Sequence, residues 1–174
     1  KLVSQRAINL CKAKSGINLA QDVNMQTFNV RSLFETRVIN MIPILDKYGT
    51  KISVEISVDE TVPQYIISDA EYIFRMVNIL LSNSFKFTVQ GYIKVLCRLN
   101  GQQMSIDVFD TGSGISKEKQ KDLFKEFASF DKENGGTGIG LYECKEMCEA
   151  LGGTVVFSEN IPTGSHFSIS IPIR

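Results

Sequence analysis

The feature that most constrains this chain is a crowding of glycines at a helix start. Gly135-Gly136-Thr137-Gly138-Ile139-Gly140-Leu141 runs straight into an apolar-periodic stretch, residues 141–151. Backbone without Cβ atoms can lie close to a bound group, and the free N–H groups of a helix start favour anions. A second glycine turn, Asp110-Thr111-Gly112-Ser113-Gly114-Ile115, follows an alternating apolar run. Either turn alone also fits simple punctuation between elements. Taken together, and with Asn83 and Lys86, they predict two bends that close over one nucleotide.

The 174 residues suit one domain, or one domain with a short appendage. Nineteen acidic and nineteen basic residues balance, which argues against a nucleic-acid surface or an acidic substrate. No apolar run reaches the roughly 20 residues of a membrane helix, and no signal-peptide pattern opens the chain. The first residue is Lys and the opening stretch is amphipathic, so the chain reads as an excised piece of a longer protein. None of the four cysteines, Cys11, Cys97, Cys144 and Cys148, forms a C-x-x-C pair. Cys144 and Cys148 share a helix face with Leu141, Met147 and Leu151, which predicts reduced, buried thiols in a cytosolic compartment.

Along the chain, residues 1–14 read as a helix with Val3, Ala7, Leu10 and Cys11 on one stripe and Gly16 as C-cap. Residues 17–26 show no clear period. Asn29 is a good N-cap for a helix to about residue 47, with Pro43 predicting a kink or an early end. Alternation over 52–58 predicts a half-buried strand. Ser68-Asp69-Ala70-Glu71 resembles a capping box and opens a helix over 69–87 with Ile73, Val77, Leu80, Leu81 and Ser84 inward. Strands follow over 93–99 and 104–108, joined at the hairpin signal Asn100-Gly101. A short helix over 117–124, a mobile loop over 124–134, a helix over 138–150 and strands over 155–157 and 167–173 complete the reading. The sum is an α+β, two-layer sandwich: a mixed five-stranded sheet with three main helices on one face.

The chemistry gathers at few places. Asn83 and Lys86 share a helix face offset from the apolar stripe. An Asn amide oxygen can ligate Mg²⁺, and a Lys one turn on can neutralise phosphate. The same face also fits plain solvent exposure. Asp110 ends an apolar strand, where a carboxylate can accept an amino proton such as that of adenine; it also fits a turn-forming Asp.

Four stretches now stand in order. They are Ser82-Asn83-Ser84-Phe85-Lys86-Phe87-Thr88, Asp110-Thr111-Gly112-Ser113-Gly114-Ile115, Leu123-Phe124-Lys125-Glu126-Phe127 and Gly135-Gly136-Thr137-Gly138-Ile139-Gly140-Leu141. Together they resemble the boxes of the ATP-binding catalytic domain of sensor histidine kinases, which share a Bergerat-type nucleotide fold with gyrase and Hsp90 ATPases. Thr163-Gly164-Ser165-His166-Phe167 is similar to the final glycine box. The resemblance implies ATP and Mg²⁺ as cofactors, with Asn83 on the metal, Lys86 on the phosphates and Asp110 on the adenine amino group. Gly112 and Gly114 would give the base room, residues 124–134 would form a lid, and Gly136, Gly138 and Gly140 would carry its end past the phosphates. Phe87, Ile115, Phe127, Thr137, Ile139, Leu141 and Ser165 would line the rest of the nucleotide site. It also implies a division into a dimerisation-helix tail (1–16), a linker (17–27) and a catalytic domain (28–174). Implied partners are a phosphoacceptor domain of the same protein, a receiver domain and a second copy of a homodimeric parent, with no nucleic acid and no direct membrane contact. The implied location is cytoplasmic.

The chain departs from that pattern at two residues and in a short lid. The acceptor His is absent, since the one histidine is His166 in the last glycine box, where a structural role is expected. Ile79 stands four residues before Asn83, where many such kinases carry Asn and the ATPases carry a water-activating Glu. Asn78 cannot replace it, because one residue of helix turns the side chain by about 100°. A hydrolase reading therefore weakens. A domain that senses nucleotide and regulates by contact, without kinase activity, is the alternative to the kinase reading. Lys125 and Lys132, the cations of the lid stretch, read as solvated charges.

Overall fold

The strands β2 (Lys51–Val58), β4 (Gln90–Asn100), β5 (Gln103–Asp110), β6 (Thr154–Glu159) and β7 (Ser165–Pro172) form one sheet in the order β2-β4-β5-β7-β6. This is a computed structural model, and it describes residues 22–46, 49, 51–128 and 138–173. The β2–β4 pair is parallel and the other pairs are antiparallel, so the sheet is mixed. A parallel pair needs a long crossover, and it is supplied by β3 (Tyr65–Ser68) and α2 (Ala70–Phe87). The β4–β5 hairpin turns at Gly101 and Gln102, with Asn100 already paired to Gln103.

Alternation explains the core. Ile93, Val95 and Cys97 of β4, Met104, Ile106 and Val108 of β5, and Phe167, Ile169 and Ile171 of β7 are all buried. They meet Ile73, Met76, Val77, Leu80 and Leu81 of α2 and Cys144, Met147 and Cys148 of α4 (Gly140–Ala150). The third main helix, α1, runs Val30–Ser32, Leu33–Val38 and Ile39–Leu45 without a break and contributes Val30, Leu33, Phe34 and Val38. The expected two-layer α+β architecture is the one observed. A short helix, α3 (Lys117–Gln120), sits apart from these.

The details depart from expectation where tertiary contacts act. A second sheet pairs β1 (Gln26–Asn29) with β3, and no strand was expected over either stretch. The middle of α1, Leu33–Val38, is π-helical. Pro43 lies inside the last α-helical piece, and the helix stops two residues later at Leu45. The cap of α2 is Asp69, whose Oδ1 accepts from Tyr72 N at 3.0 Å, while Ser68 ends β3. The expected helix over 1–14 with Cys11, its Gly16 cap, and Lys132, Gly135, Gly136 and Thr137 lie outside the described residues.

Candidate nucleotide site

The period of two along β5 turns Asp110 to the same side as Ile106 and Val108, towards the helices. It is 3% exposed. Its Oδ1 accepts the backbone N–H of Gly112 and of Ser165, each at 3.0 Å, and its Oδ2 accepts the Ser84 hydroxyl at 3.1 Å. One carboxylate therefore joins the end of β5, the start of β7 and helix α2. Burial pushes its carboxyl above the ordinary range, and the Gly112, Ser165 and Ser84 donors partly offset this. The Ser165 side chain also hydrogen-bonds the carboxylate, so the donors around it come from β7, α2 and the first glycine bend.

The first glycine bend is pressed against the end of α2. Ser113 N donates to Phe87 O at 3.2 Å. A Cβ on Gly112 would lie 2.5 Å from Phe87 O, so only glycine fits there. The β6–β7 hairpin closes over the bend from the other side. Thr163 Oγ1 donates to Gly112 O at 3.0 Å and Asn160 Nδ2 to Asp110 O at 2.8 Å. Gly114 faces the backbone of Gly164. The Thr88 hydroxyl, 2% exposed and without a hydrogen-bond partner, lies against Gly112.

Helix α2 is the spine that relates the two bends. Ile79, Asn83 and Phe87 follow one another at i+4 and share a face. Ile79 Cγ2 would be 3.3 Å from a Cβ on Gly140, at the start of α4, and Phe87 carries the first bend. Asn83 stands midway, so the two bends flank it along about 12 Å of helix. Asn83 is half-buried and Lys86 exposed, with Lys86 Nζ 5.4 Å from the centroid of the half-exposed Phe87 ring. Ile139 is buried just before α4, and Gly138 has a positive φ. The first N–H groups of α4 have no partner within the helix and face outwards from its start, which suits an anion.

Asp110, Gly112, Gly114, Ser165 and the Phe87 carbonyl thus come together, and Asn83, Gly140 and Ile79 align beside them. The other expected lining residues stand further from these contacts. Ile115 and Leu141 pack against the core. Phe127 is 52% exposed on the loop after α3, at a φ of 60°. Lys125 ion-pairs with Asp122. His166 lies on the opposite sheet face between Asp107 and Ser158. Two contributors were not identified from the sequence, Ser84 as a donor to Asp110 and Asn160 as a brace. For Ser84 a signal existed, a polar residue inside the apolar stripe of α2. A shallow cavity of about 320 Å³ near Ser57, Asp59 and Arg98 contains none of these residues.

With the geometry in place, comparison identifies the lineage. The family model described as histidine kinase-, DNA gyrase B-, and HSP90-like ATPase matches residues 68–174. The sensor protein TorS of Escherichia coli (strain K12) is 31% identical over 126 residues, covering 72% of this chain and 14% of TorS. Hybrid signal transduction histidine kinase B of Dictyostelium discoideum is 34% identical over 144 residues, covering 76% of this chain and 7% of that protein. The chain therefore spans a small part of either relative. Full-length ShkA, solved in complex with AMPPNP, superposes with a TM-score of 0.75 at 21% identity over 99% of this chain and 40% of that one. The catalytic domain of histidine kinase ThkA gives 0.72 at 22% identity over 86% and 95%. At those identities the structural likeness speaks for the fold, and the sequence match over more than half of the chain carries the lineage: the chain belongs to the family of histidine kinase-, DNA gyrase B-, and HSP90-like ATPases.

Proposed function

We propose that this chain is the ATP-binding catalytic domain of a sensor histidine kinase, of the hybrid kind, and that it passes the γ-phosphoryl group of ATP to a histidine on a dimerisation domain. The observation that carries the reading is the position of Asp110. It is a buried carboxylate at the end of β5, set beside the first glycine bend, and Gly140 of the second glycine stretch lies further along the same face of α2. Relatives named as sensor kinases, and a neighbour solved with an ATP analogue, support it.

In this reading Asp110 accepts the adenine amino proton, and Gly112 and Gly114 let the flat base approach. Lys86 and the N–H groups at the start of α4 hold phosphate charge. Gly136 and Thr137 belong to the same glycine stretch. Asn83 offers one hard oxygen. Among the described residues no group of three or more His, Cys, Asp or Glu side chains is placed to hold a metal. The donor set fits a Mg²⁺ ion that takes most of its ligands from phosphate and water. When bound, Mg²⁺ supplies charge neutralisation at the phosphates. An imidazole nitrogen of the acceptor attacks the γ-phosphorus, the bond to the β–γ bridging oxygen breaks, ADP leaves, and the ring proton passes to a base outside this chain. Ile79 puts a methyl group, not a carboxylate, beside Gly140, so nothing at that position activates water. Transfer is thereby favoured over hydrolysis.

The reading extends to a dimerisation-helix tail over 1–16, a linker over 17–27, a receiver partner, a homodimeric parent and a cytoplasmic location. No helix among the described residues is long and apolar enough to cross a membrane. Titration of the chain with Mg·ATP, followed by transfer to a separately supplied dimerisation domain, tests both halves. Saturable binding that is lost in Asp110→Asn, and label appearing on the acceptor histidine, are expected. Absence of saturable binding would overturn the reading.

A further inference from the structure

The outer face of the sheet, turned away from α2 and the nucleotide site, carries a second group of reactive side chains. Ser158, His166 and Asp107 stand in a hydrogen-bonded line. Ser158 Oγ lies 2.9 Å from His166 Nδ1, and His166 Nε2 lies 2.9 Å from Asp107 Oδ1. The sheet register builds this line. Ser158 is the direct partner of His166 across β6 and β7, and His166 is the direct partner of Phe109 across β7 and β5. Asp107 stands two residues back along β5, a diagonal neighbour of His166. The Phe109 ring stacks on the imidazole with centroids 4.0 Å apart and planes 10° apart, which holds the plane of the ring. Asp107 is 3% exposed and is also held by Arg98 at 3.0 Å, while Ser158 is exposed. Burial raises the Asp107 carboxyl, but hydrogen bonds from His166, Ser168 and Arg98 outweigh this and leave it below the ordinary range, an ionised acceptor. The Nε2 facing it therefore carries the ring proton. In the neutral ring Nδ1 is then an acceptor for the Ser158 hydroxyl.

The geometry points to Ser158 as a nucleophilic serine that takes small acyl groups from thioesters and aryl esters, with His166 as its general base and Asp107 as the positioning residue that orients the ring. A nucleophile, a base and an orienter within hydrogen-bond reach define such a site by their roles, whatever their order in the chain. Ser158 Oγ attacks the acyl carbon. The Oγ–C bond forms, the bond to the leaving sulfur or aryl oxygen breaks, and the hydroxyl proton passes to His166 Nδ1 and then to the leaving group. The product is an O-acyl serine. Backbone N–H groups lie in the plane of a sheet and do not point out of its face, so the face offers no oxyanion cradle. That limits the donors to those with good leaving groups. Val156, 57% exposed and two residues from Ser158 on the same face of β6, gives a short acyl chain an apolar surface. This site does not depend on the nucleotide reading.

The test treats the full chain with 4-nitrophenyl acetate and maps acetyl groups on its peptides by mass spectrometry over time. Ser158 is expected to be acetylated at least about a hundredfold faster than Ser53, an exposed serine on β2, which is the lower end of what a positioned general base contributes. His166→Phe keeps a ring to stack on Phe109 but cannot take a proton, and is expected to bring Ser158 down to the rate of Ser53. Asp107→Asn can turn an N–H towards Nε2 and move the ring proton to Nδ1, and is expected to slow Ser158 at least about tenfold. A thermal melt of each variant shows that it is folded. Acetylation of Ser158 no faster than that of Ser53 in the unaltered chain overturns the proposal without recourse to a variant. An unchanged rate in folded His166→Phe or Asp107→Asn removes the base or its orienter, and the proposal with it.

Discussion

Asp110 is a charge held where charge is unwelcome. Its folded pKa is raised by burial above the ordinary 3.8. Its contribution to stability is therefore fully present below 3.8 and is lost as pH rises through the folded value. Above the folded value the ionised group weighs against the fold, and in the nucleotide reading it is retained for what it binds. Asp110→Asn keeps the shape, since its Oδ1 can accept the same two N–H groups and its Nδ2 can donate to a turned Ser84 hydroxyl. Melting near neutral pH is expected to be unchanged or raised by a few degrees. ATP affinity is expected to fall at least about tenfold, because an amide N–H meets the amino group. A thermal melt and an ATP titration check both; a lower melting temperature with unchanged affinity would contradict the account. Asp107, on the other sheet face, behaves oppositely. Burial pushes it up, but hydrogen bonds from His166, Ser168 and Arg98 together outweigh this and hold its carboxyl below the ordinary range. That stability is present above the ordinary value and lost as pH falls through the folded one. His166 also stacks on Phe109, with centroids 4.0 Å apart. His166→Ala is expected to cost about 1 kcal/mol in denaturant unfolding, most of it absent at acid pH, and to leave ATP affinity within about twofold.

Helix α2 positions more of the site than any other element, and its start and its end are both specified by contacts distant in sequence. Asp69 accepts Tyr72 N at 3.0 Å and Asn24 N at 2.8 Å while 2% exposed. Asp69→Ala removes a cap and leaves the buried Tyr72 N–H unmet, so a loss of about 1–2 kcal/mol is expected, read as a lower urea midpoint with an unchanged slope. The amphipathic body of α2 was legible in the sequence because Ile73, Val77, Leu80, Leu81 and Ser84 repeat with its period, and the structure adds Tyr72 and Met76 to that face. The long strands were legible for the same reason, since alternation persists through β4, β5 and β7. The β1–β3 ribbon was not: each strand has four residues, and Gln26 finds its partner at Ser68. No local period survives in so short a piece. Of the candidate site, the glycine bends and Asp110 could be read from spacing and turn chemistry. The Ser84 donor could not, because its partner lies 26 residues away and is known only once the sheet has formed.

At the scale of the whole molecule the site is a joint between the sheet, the α2 helix and the β6–β7 hairpin, and Gly164 is where the hairpin closes on the sheet. Its φ is +120°, and a Cβ there would lie 1.9 Å from Asp110 O and 2.9 Å from Thr111 Cα, all backbone that cannot yield. Three hydrogen bonds sit on that hairpin and would go together: Ser165 N to Asp110, Thr163 to Gly112 and Asn160 to Asp110 O. A ligand that binds only the folded state stabilises it by about 2.7 kcal/mol at a hundredfold excess over its Kd. For a chain of this length that is a rise of about 5–10 °C in melting temperature, expected for the unaltered chain with Mg·ATP. Gly164→Ala is expected to lower the melting temperature of the free chain and to abolish most of the rise. Asp110→Asn should separate the two effects, keeping the first value and losing the second. If Gly164→Ala lowers stability yet retains the full ATP-dependent rise, the hairpin supports the fold without shaping the site, and the nucleotide must be held by α2 and the start of α4 alone.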